Sequence, residues 1–133
     1  MNTQNTLTVF ERIKSKKYFE LLFSKEAKVI HEKNILAKWA IIPKDDAYLA
    51  KVAFVVPKRI CKKAVSRNYF KRILKESYRT SKHALIEASV NSNHTILILF
   101  LYKNILYSKK DAFQIMDVQV KSILQKIEKK QLK

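Results

Sequence analysis

A dense run of cationic side chains between residues 58 and 79 is the part of this chain whose residue types could do chemistry. It holds nine Lys or Arg against a single acid, Glu76. The cations are Lys58, Arg59, Lys62, Lys63, Arg67, Lys71, Arg72, Lys75 and Arg79. Arg offers a planar fork that matches phosphate oxygens, and Lys offers a mobile point charge. Asn68 adds a donor and an acceptor that suit a base edge or a 2′-hydroxyl. This segment therefore favours a polyanionic partner.

The spacing within residues 66–81 predicts an amphipathic helix that positions these cations. At about 100° per residue, one arc of the helix carries Phe70, Ile73, Leu74 and Ser77. Much of the opposite side carries Arg67, Asn68, Lys71, Arg72, Lys75 and Arg79. Ser66 is the expected N-cap, because its hydroxyl can accept a hydrogen bond from a first-turn N–H. A solvated face is the usual fate of a charge run, but here like charges repel one another unless a partner neutralises them.

Other chemistries are excluded by what the chain lacks. It has no glycine, so neither a Walker loop nor a dinucleotide-binding fingerprint can form. The single cysteine, Cys61, excludes an intrachain disulfide and a Cys-based zinc site, and it reads as a small filler near a strand end. The three histidines are scattered without metal-ligand spacing, and Asp45-Asp46 reads as a turn. We therefore predict no catalytic residue and no metal site in the protein itself.

Length and charge bound the class of protein. A chain of 133 residues suits one domain with a modest core, so residues 1–133 are predicted to form a single domain. A net charge of +17 points to nucleic acid first and an acidic membrane surface second. The longest apolar run, residues 96–102, is far short of the roughly 20 residues that a spanning helix needs. The first residues show no hydrophobic signal segment, so we expect a cytoplasmic protein without a membrane partner.

Helices and strands alternate along the chain around the basic helix. Residues 1–14 read as an extended arm, and residues 15–25 as a helix whose apolar stripe is Tyr18, Phe19, Leu22 and Phe23. Strands are predicted at residues 35–42, 49–56 and 95–101, with a turn at 43–46 and a short helix at 82–89. Ser108 and Asp111 resemble a capping box that opens a last helix. Its apolar stripe is Ala112, Phe113, Met116, Val120, Ile123, Leu124 and Ile127. This alternation predicts an α/β sandwich.

The order of the basic residues carries a resemblance to a known family. Lys58-Arg59 is followed by Ala64 and then by Arg67-Asn68-x-x-Lys71-Arg72-x-x-Lys75-Glu76-x-x-Arg79. This pattern resembles the signature of the bacterial ribonuclease P protein subunit, in which a basic pair leads into an Arg-Asn-Arg-x-x-Lys-Arg-x-x-Arg-Glu helix. Tyr69 stands where that motif has its second Arg, and could replace it by stacking or by its hydroxyl. Lys75 stands for an Arg, which keeps the charge but loses the fork.

The resemblance extends over most of the chain and implies a fold. Arg12-Ile13-Lys14 with residues 18–23 is similar to the family's opening segment and first helix, and residues 51–58 are similar to the strand before the basic pair. The implied fold class is α+β: a single-domain α/β sandwich with a mixed central sheet of about four strands packed by helices. The basic helix would lie in a left-handed βαβ crossover, as in the second domain of ribosomal protein S5, against the usual right-handed rule.

The resemblance also implies a function and partners. Such a protein binds the catalytic RNA of ribonuclease P, one protein per RNA, through its basic face, here the nine cations and Asn68. It holds the 5′ leader of precursor tRNA in a cleft beside the first helix, and so assists endonucleolytic removal of the leader. The Mg²⁺ that this hydrolysis needs is held mainly by the RNA.

The candidates for the leader cleft are fewer and less specific. By motif order, Phe19 and Phe23 correspond to two first-helix aromatics of the family. Arg12 and Lys14 flank them on the opening segment. Spacing alone favours core packing for both Phe side chains. The resemblance makes core packing and a place in the leader cleft about equally favoured. Trp39 could line the same cleft, although burial in the core is the safer reading.

Three other readings stay open. A ribosomal or other structural RNA-binding protein would share the charge and the sandwich without a role in cleavage. A stand-alone nuclease would need acidic or histidine clusters that the sequence does not show. A membrane-surface binder is a distant third, because the narrow apolar face of the basic helix is needed by the core.

Overall fold

The computed structural model describes residues 12–43, 49–89, 93–104 and 111–131. Four helices lie in these ranges: α1 (Lys16–Leu22), α2 (Ala64–Ser81), α3 (His83–Ser89) and α4 (Ala112–Gln131). Four strands accompany them: β1 (Lys28–His31), β2 (Ile35–Pro43), β3 (Ala50–Val55) and β4 (His94–Tyr102). The helices in these ranges are too short or too polar to cross a membrane. The predicted turn at 43–46, the Ser108 cap and most of the arm fall largely or wholly outside the described residues.

The strands form one mixed sheet in the order β1-β2-β4-β3. β1 pairs with β2 and β2 with β4 in antiparallel fashion, whereas β3 runs parallel to β4. β3 and β4 are therefore joined by a crossover that contains α2 and α3, because parallel neighbours cannot be joined by a tight hairpin. The predicted mixed α+β sheet of four strands is confirmed. The left-handed sense of the crossover stays a prediction.

The two faces of the sheet pack against different helices, because side chains alternate along each strand. Trp39, Ile98 and Phe100 point to one face, where they pack with α2 and α4 in the larger core cluster. Leu97, Leu99 and the half-buried Ala40 point to the other, where α1 covers them with Leu22. The core is thus split by the sheet into a thick layer and a thin one. The thin layer is closed by a helix of only seven residues.

The buried face of α2 is the one that the sequence predicts. Phe70, Ile73, Leu74 and Ser77 are all buried, together with Tyr78. Ser77 donates a hydrogen bond of 2.6 Å to Asp117 on α4, which gives this polar residue of the buried face a partner. The predicted stripe of α4 is buried as well, except for Phe113, which is 43% exposed. Assigning Phe113 to the core was therefore wrong.

The ends of two helices differ from the sequence prediction for local reasons. α1 ends at Leu22 rather than near residue 25, because Ser24 donates both its N–H and its hydroxyl to the Leu21 carbonyl, at 3.1 and 2.6 Å. α2 begins at Ala64 with Lys63 at the N-cap position and no side-chain cap. Ser66 already lies inside the first turn, so its assignment as the N-cap was wrong.

Strand β1 is missing from the prediction. Only Ile30 of its four residues is buried, so the segment lacks the alternation that identifies a strand. It lies at one edge of the sheet and pairs with β2 alone. Tertiary pairing, rather than local pattern, defines this strand.

Candidate RNA interface

Helix α2 presents its cations on the side that faces away from the core. Asn68, Lys71 and Arg72 are exposed, whereas Arg67, Lys75 and Arg79 are half-buried. Arg79 also pairs with Glu76 at 2.7 Å, within the helix. Glu76 is the single acidic residue between residues 58 and 79, and it pairs with Arg79. The segment therefore supplies no second acid to offset the cations nearer the start of the helix.

A basic loop, residues 57–63, leads from β3 into α2 and holds four more cations. Lys58, Arg59, Lys62 and Lys63 are all exposed. The loop turns tightly, because the Ile60 and Cys61 amides both donate to the Pro57 carbonyl, at 3.2 and 3.1 Å. Ile60 and Cys61 pack against the larger core cluster, so the loop is anchored from inside while its charges face outward.

Two further residues of the motif contact other parts of the protein. The Arg67 guanidinium donates through Nη1 to the carbonyls of Cys61 and Lys62, at 3.1 and 2.6 Å. Tyr69 is half-buried and packs against the core, with its ring edge-on to Phe70 at 5.3 Å between centroids. Tyr69, which stands where the motif has its second Arg, therefore packs partly against the core.

A cleft of about 380 Å³ opens along the outer edge of β3. Its apolar floor includes Phe19 of α1 and Phe54 of β3, and three cations of α2 border it, namely Lys71, Arg72 and Lys75. Arg12 closes the end of the cleft, where it forms a parallel bridge with Val52. The Ile13 backbone N–H donates to the Val52 carbonyl at 3.0 Å, which holds residues 12 and 13 against β3.

The floor of the cleft packs against the larger core cluster through Phe54. Phe54 stacks on Phe100 at 5.8 Å between centroids with an 8° interplanar angle, and it meets Tyr78 edge-on at 6.2 Å. An aromatic floor with cations at its rim suits an unpaired nucleotide, because every base has a face that can stack and a phosphate that can be neutralised. The structure thereby brings Phe19 and Arg12 together with three residues of the predicted RNA-binding face.

The other candidates for the leader cleft lie elsewhere. Phe23 follows the end of α1 and is 54% exposed, with the Lys38 ammonium 4.7 Å from the centre of its ring. Lys14 is exposed beside Arg12 but does not line the cleft. Trp39 is only 1% exposed and packs in the core on the opposite face of the sheet from α1. Of the two alternatives for Trp39, the structure supports burial in the core over a place in the cleft, because the alternation of β2 turns its side chain away from Phe19.

The sequence did not identify the strand residues of the floor, Val52 and Phe54. Their signal was the strand itself, which the sequence did predict. What it could not show is that β3 lies at a sheet edge, because that depends on the order of all four strands. Within the described ranges, no three His, Cys, Asp or Glu side chains come together as metal ligands would.

Taken together, the fold and the cleft define a small α+β protein with a cationic helix beside an aromatic cleft at the edge of its sheet. The family described as Ribonuclease P matches residues 7–128, and the chain belongs to that family. A curated relative, the ribonuclease P protein component of Chlorobaculum tepidum, is 35% identical over 57 residues. That match spans 40% of this chain and 37% of the length of the relative.

Solved structures resemble the fold over a longer span. The RNase P protein of Staphylococcus aureus superposes with a TM-score of 0.54 at 17% identity, covering 90% of this chain and 93% of that one. A mutant of it with defective mRNA degradation activity gives 0.55 at 17% identity, covering 90% and 86%. The RNase P protein of Thermotoga maritima gives 0.51 at 21% identity, covering 87% and 90%. At these identities the structures establish the shared fold.

Proposed function

We propose that this chain is the protein subunit of ribonuclease P, which binds the catalytic RNA and the 5′ leader of precursor tRNA. It would assist Mg²⁺-dependent endonucleolytic removal of the leader in the cytoplasm, with one protein per RNA. The observation that carries the proposal is the cleft at the edge of β3. It combines an aromatic floor, including Phe19, with cations from two separate parts of the chain, Arg12 and α2.

The two halves of the interface would divide the task. The exposed cations of the basic loop and of α2 would neutralise phosphates of the catalytic RNA, each adding to affinity and to its salt dependence. The cleft would take unpaired leader nucleotides, whose bases stack on Phe19 and whose phosphates meet Arg12. Because α2 borders the cleft, one helix would contact both RNAs.

Mg²⁺ is proposed to be held mainly by the RNA subunit. Among the residues that the structure describes, the cleft is lined by Arg12, Lys71, Arg72 and Lys75 and by no acidic side chain, and this set repels rather than coordinates a cation. When bound, Mg²⁺ would activate water and stabilise the leaving oxygen. The protein's own residues would bind and orient RNA and reduce repulsion between RNA strands.

The test is 5′ cleavage of a precursor tRNA at low Mg²⁺ by ribonuclease P RNA with and without this protein. We expect strong stimulation of the RNA and correct release of the mature 5′ end. An arm with the protein alone tests the stand-alone nuclease, and there we expect no cleavage. Tight RNA binding without stimulation would contradict the proposal and favour a ribosomal or other structural RNA-binding protein.

A further inference from the structure

The basic loop is held in place by a contact that reaches back from α2. Arg67 lies in the first turns of the helix, and its Nη1 donates to two successive loop carbonyls, those of Cys61 and Lys62. The Arg67 backbone N–H makes an ordinary helical hydrogen bond of 3.0 Å to the carbonyl of Lys63, the residue at which the loop meets the helix. The half-buried side chain thus lies along the loop rather than extending into solvent.

The position of Arg67 is unfavourable for a cation unless something compensates. The N-terminal end of a helix carries a partial positive charge, which disfavours a nearby guanidinium. Two carbonyl oxygens at 3.1 and 2.6 Å supply that compensation. Lys62 and Lys63, which extend from the same stretch of loop, are exposed. The internal contact therefore fixes the backbone that carries two outward charges.

We propose that Arg67 is a positioning residue that clamps the basic loop, and that it strengthens RNA binding through Lys62 and Lys63. The RNA part of this inference rests on the proposed function above. A different role, direct phosphate binding by Arg67 alone, would make its contribution independent of the loop. The two roles predict different results with Arg67→Lys, which keeps the positive charge but replaces the planar fork with a single ammonium.

The free protein offers a built-in reporter of the loop. Cys61 is the only cysteine of the chain, it is half-buried, and its carbonyl is one of the two that Arg67 holds. We expect Arg67→Lys to raise the rate of Cys61 thiol alkylation about fivefold, the equilibrium value of one ordinary hydrogen bond. Arg72→Lys is the matched control, because Arg72 lies on the same helix and borders the cleft rather than the loop. Equal rates in the two variants would overturn the clamp.

A double-mutant cycle tests the RNA part. The affinity for ribonuclease P RNA is measured for Lys62→Ala/Lys63→Ala in the wild-type and the Arg67→Lys backgrounds. We expect the two Lys→Ala changes to weaken RNA binding by a factor about fivefold smaller in the Arg67→Lys background than in the wild type. The reason is that the effects of residues that act through one another are not additive. Lys75→Ala, two turns further along the helix in the cleft wall, should weaken binding by the same factor in both backgrounds.

The outcomes separate the two proposals. Additive costs for the lysine pair would overturn the coupling through the loop, whatever the size of each single effect. A wild-type protein that fails to bind ribonuclease P RNA would overturn the proposed function, and with it the RNA part of the inference. The thiol measurement would still decide whether Arg67 clamps the loop, because it uses no RNA.

Discussion

Tyr102 shows how single residues tie the cationic helix to the sheet. Its side chain is fully buried, and its hydroxyl donates to the Phe70 carbonyl of α2 at 3.2 Å. Its ring meets Phe70 edge-on at 5.4 Å between centroids. Burial, and then the neighbouring Tyr69, raise the pKa of Tyr102 well above its ordinary value, because a phenolate is disfavoured away from water. Tyr102 therefore links the stability of α2 to pH.

We expect Tyr102→Phe to change the pH dependence of unfolding. In the unfolded chain Tyr102 loses its proton near pH 10, whereas in the folded protein it keeps the proton to higher pH. The wild type should therefore lose about 1.4 kcal/mol of stability per pH unit above about pH 10 from this group, and the variant should not. Below pH 10 the variant should be less stable by about 1 kcal/mol, because it lacks the hydrogen bond.

Urea unfolding of both proteins between about pH 8 and pH 11 measures this difference. Every other titratable group is present in both proteins, so its contribution cancels in the comparison. The advantage of the wild type should shrink and then reverse within that range. A stability difference that stays constant from pH 8 to pH 11 would show that Tyr102 ionises normally.

Phe19 and Phe23 allow a matched test of the cleft. Both are aromatic residues of the first helical segment, but only Phe19 lines the cleft. We expect Phe19→Ala to weaken binding of a leader-bearing precursor tRNA by about tenfold, within the range for loss of one base stack. Phe23→Ala should change it less than about twofold, because Phe23 lies outside the cleft, under Lys38.

The readout is the affinity of the assembled ribonucleoprotein for precursor tRNA and for the same tRNA without its leader. The leaderless substrate is the control, since loss of protein stability alone would weaken both. Equal losses from Phe19→Ala and Phe23→Ala would mean that leader nucleotides use the outer face of α1 instead of the cleft.

At the scale of elements, the turn between β1 and β2 is fastened to α4 by a buried amide pair. The Asn34 backbone N–H donates to Gln119 Oε1 at 2.9 Å, and Gln119 Nε2 donates back to the side-chain Oδ1 of Asn34 at 2.9 Å. The Asn34 carbonyl accepts from the Lys103 amide at 2.8 Å. One asparagine therefore joins the β1–β2 turn, the end of β4 and helix α4.

We expect Gln119→Ala to destabilise the protein by about 2–3 kcal/mol, because it leaves a buried N–H and a buried amide oxygen unpaired. Gln125→Ala makes the same change at an exposed position of the same helix and should stay within about 0.5 kcal/mol of the wild type. Urea midpoints at neutral pH compare them. A cost for Gln119→Ala no larger than that for Gln125→Ala would mean that water replaces the lost amide.

The periodicity of apolar residues predicted an element well where that element has one continuous apolar face. It failed where contacts formed only in the folded chain decide the local structure. The buried arc of α2 follows from Phe70, Ile73 and Leu74 alone, because their spacing matches the helical repeat. The end of α1 did not follow, because Ser24 competes for a helical carbonyl only in the folded geometry. Trp39 was ambiguous because the face to which a strand residue points is set by sheet register.

At the scale of the whole molecule, the resemblance predicted a cleft beside the first helix, but its full lining could not be predicted from sequence because it joins distant segments. The cleft brings together Arg12, Phe19, Phe54 and Lys71 only because the end of the arm pairs with β3 and β3 ends the sheet. The basic composition predicted a polyanionic partner, but not where on the surface the partner binds. Net charge is a property of the whole chain, whereas the proposed interface uses one region of it.

That distinction gives a prediction about salt. Lys71→Ala and Lys129→Ala each lower the net charge of +17 by one, and both side chains are exposed. Lys71 borders the cleft, whereas Lys129 lies in the last turn of α4. We expect Lys71→Ala to reduce the slope of log affinity against log salt by about 0.9, the value of one lost phosphate contact. Lys129→Ala should leave the slope unchanged.

The measurement is a titration with ribonuclease P RNA at several salt concentrations for the three proteins. A purely nonspecific attraction would depend on total charge, and both variants would then lose the same amount. A defined interface makes the two equal charge changes unequal, because beyond a Debye length of about 8 Å a lysine contributes little at physiological salt. Equal slopes for Lys71→Ala and Lys129→Ala would therefore contradict the interface on α2, even if the protein bound RNA tightly.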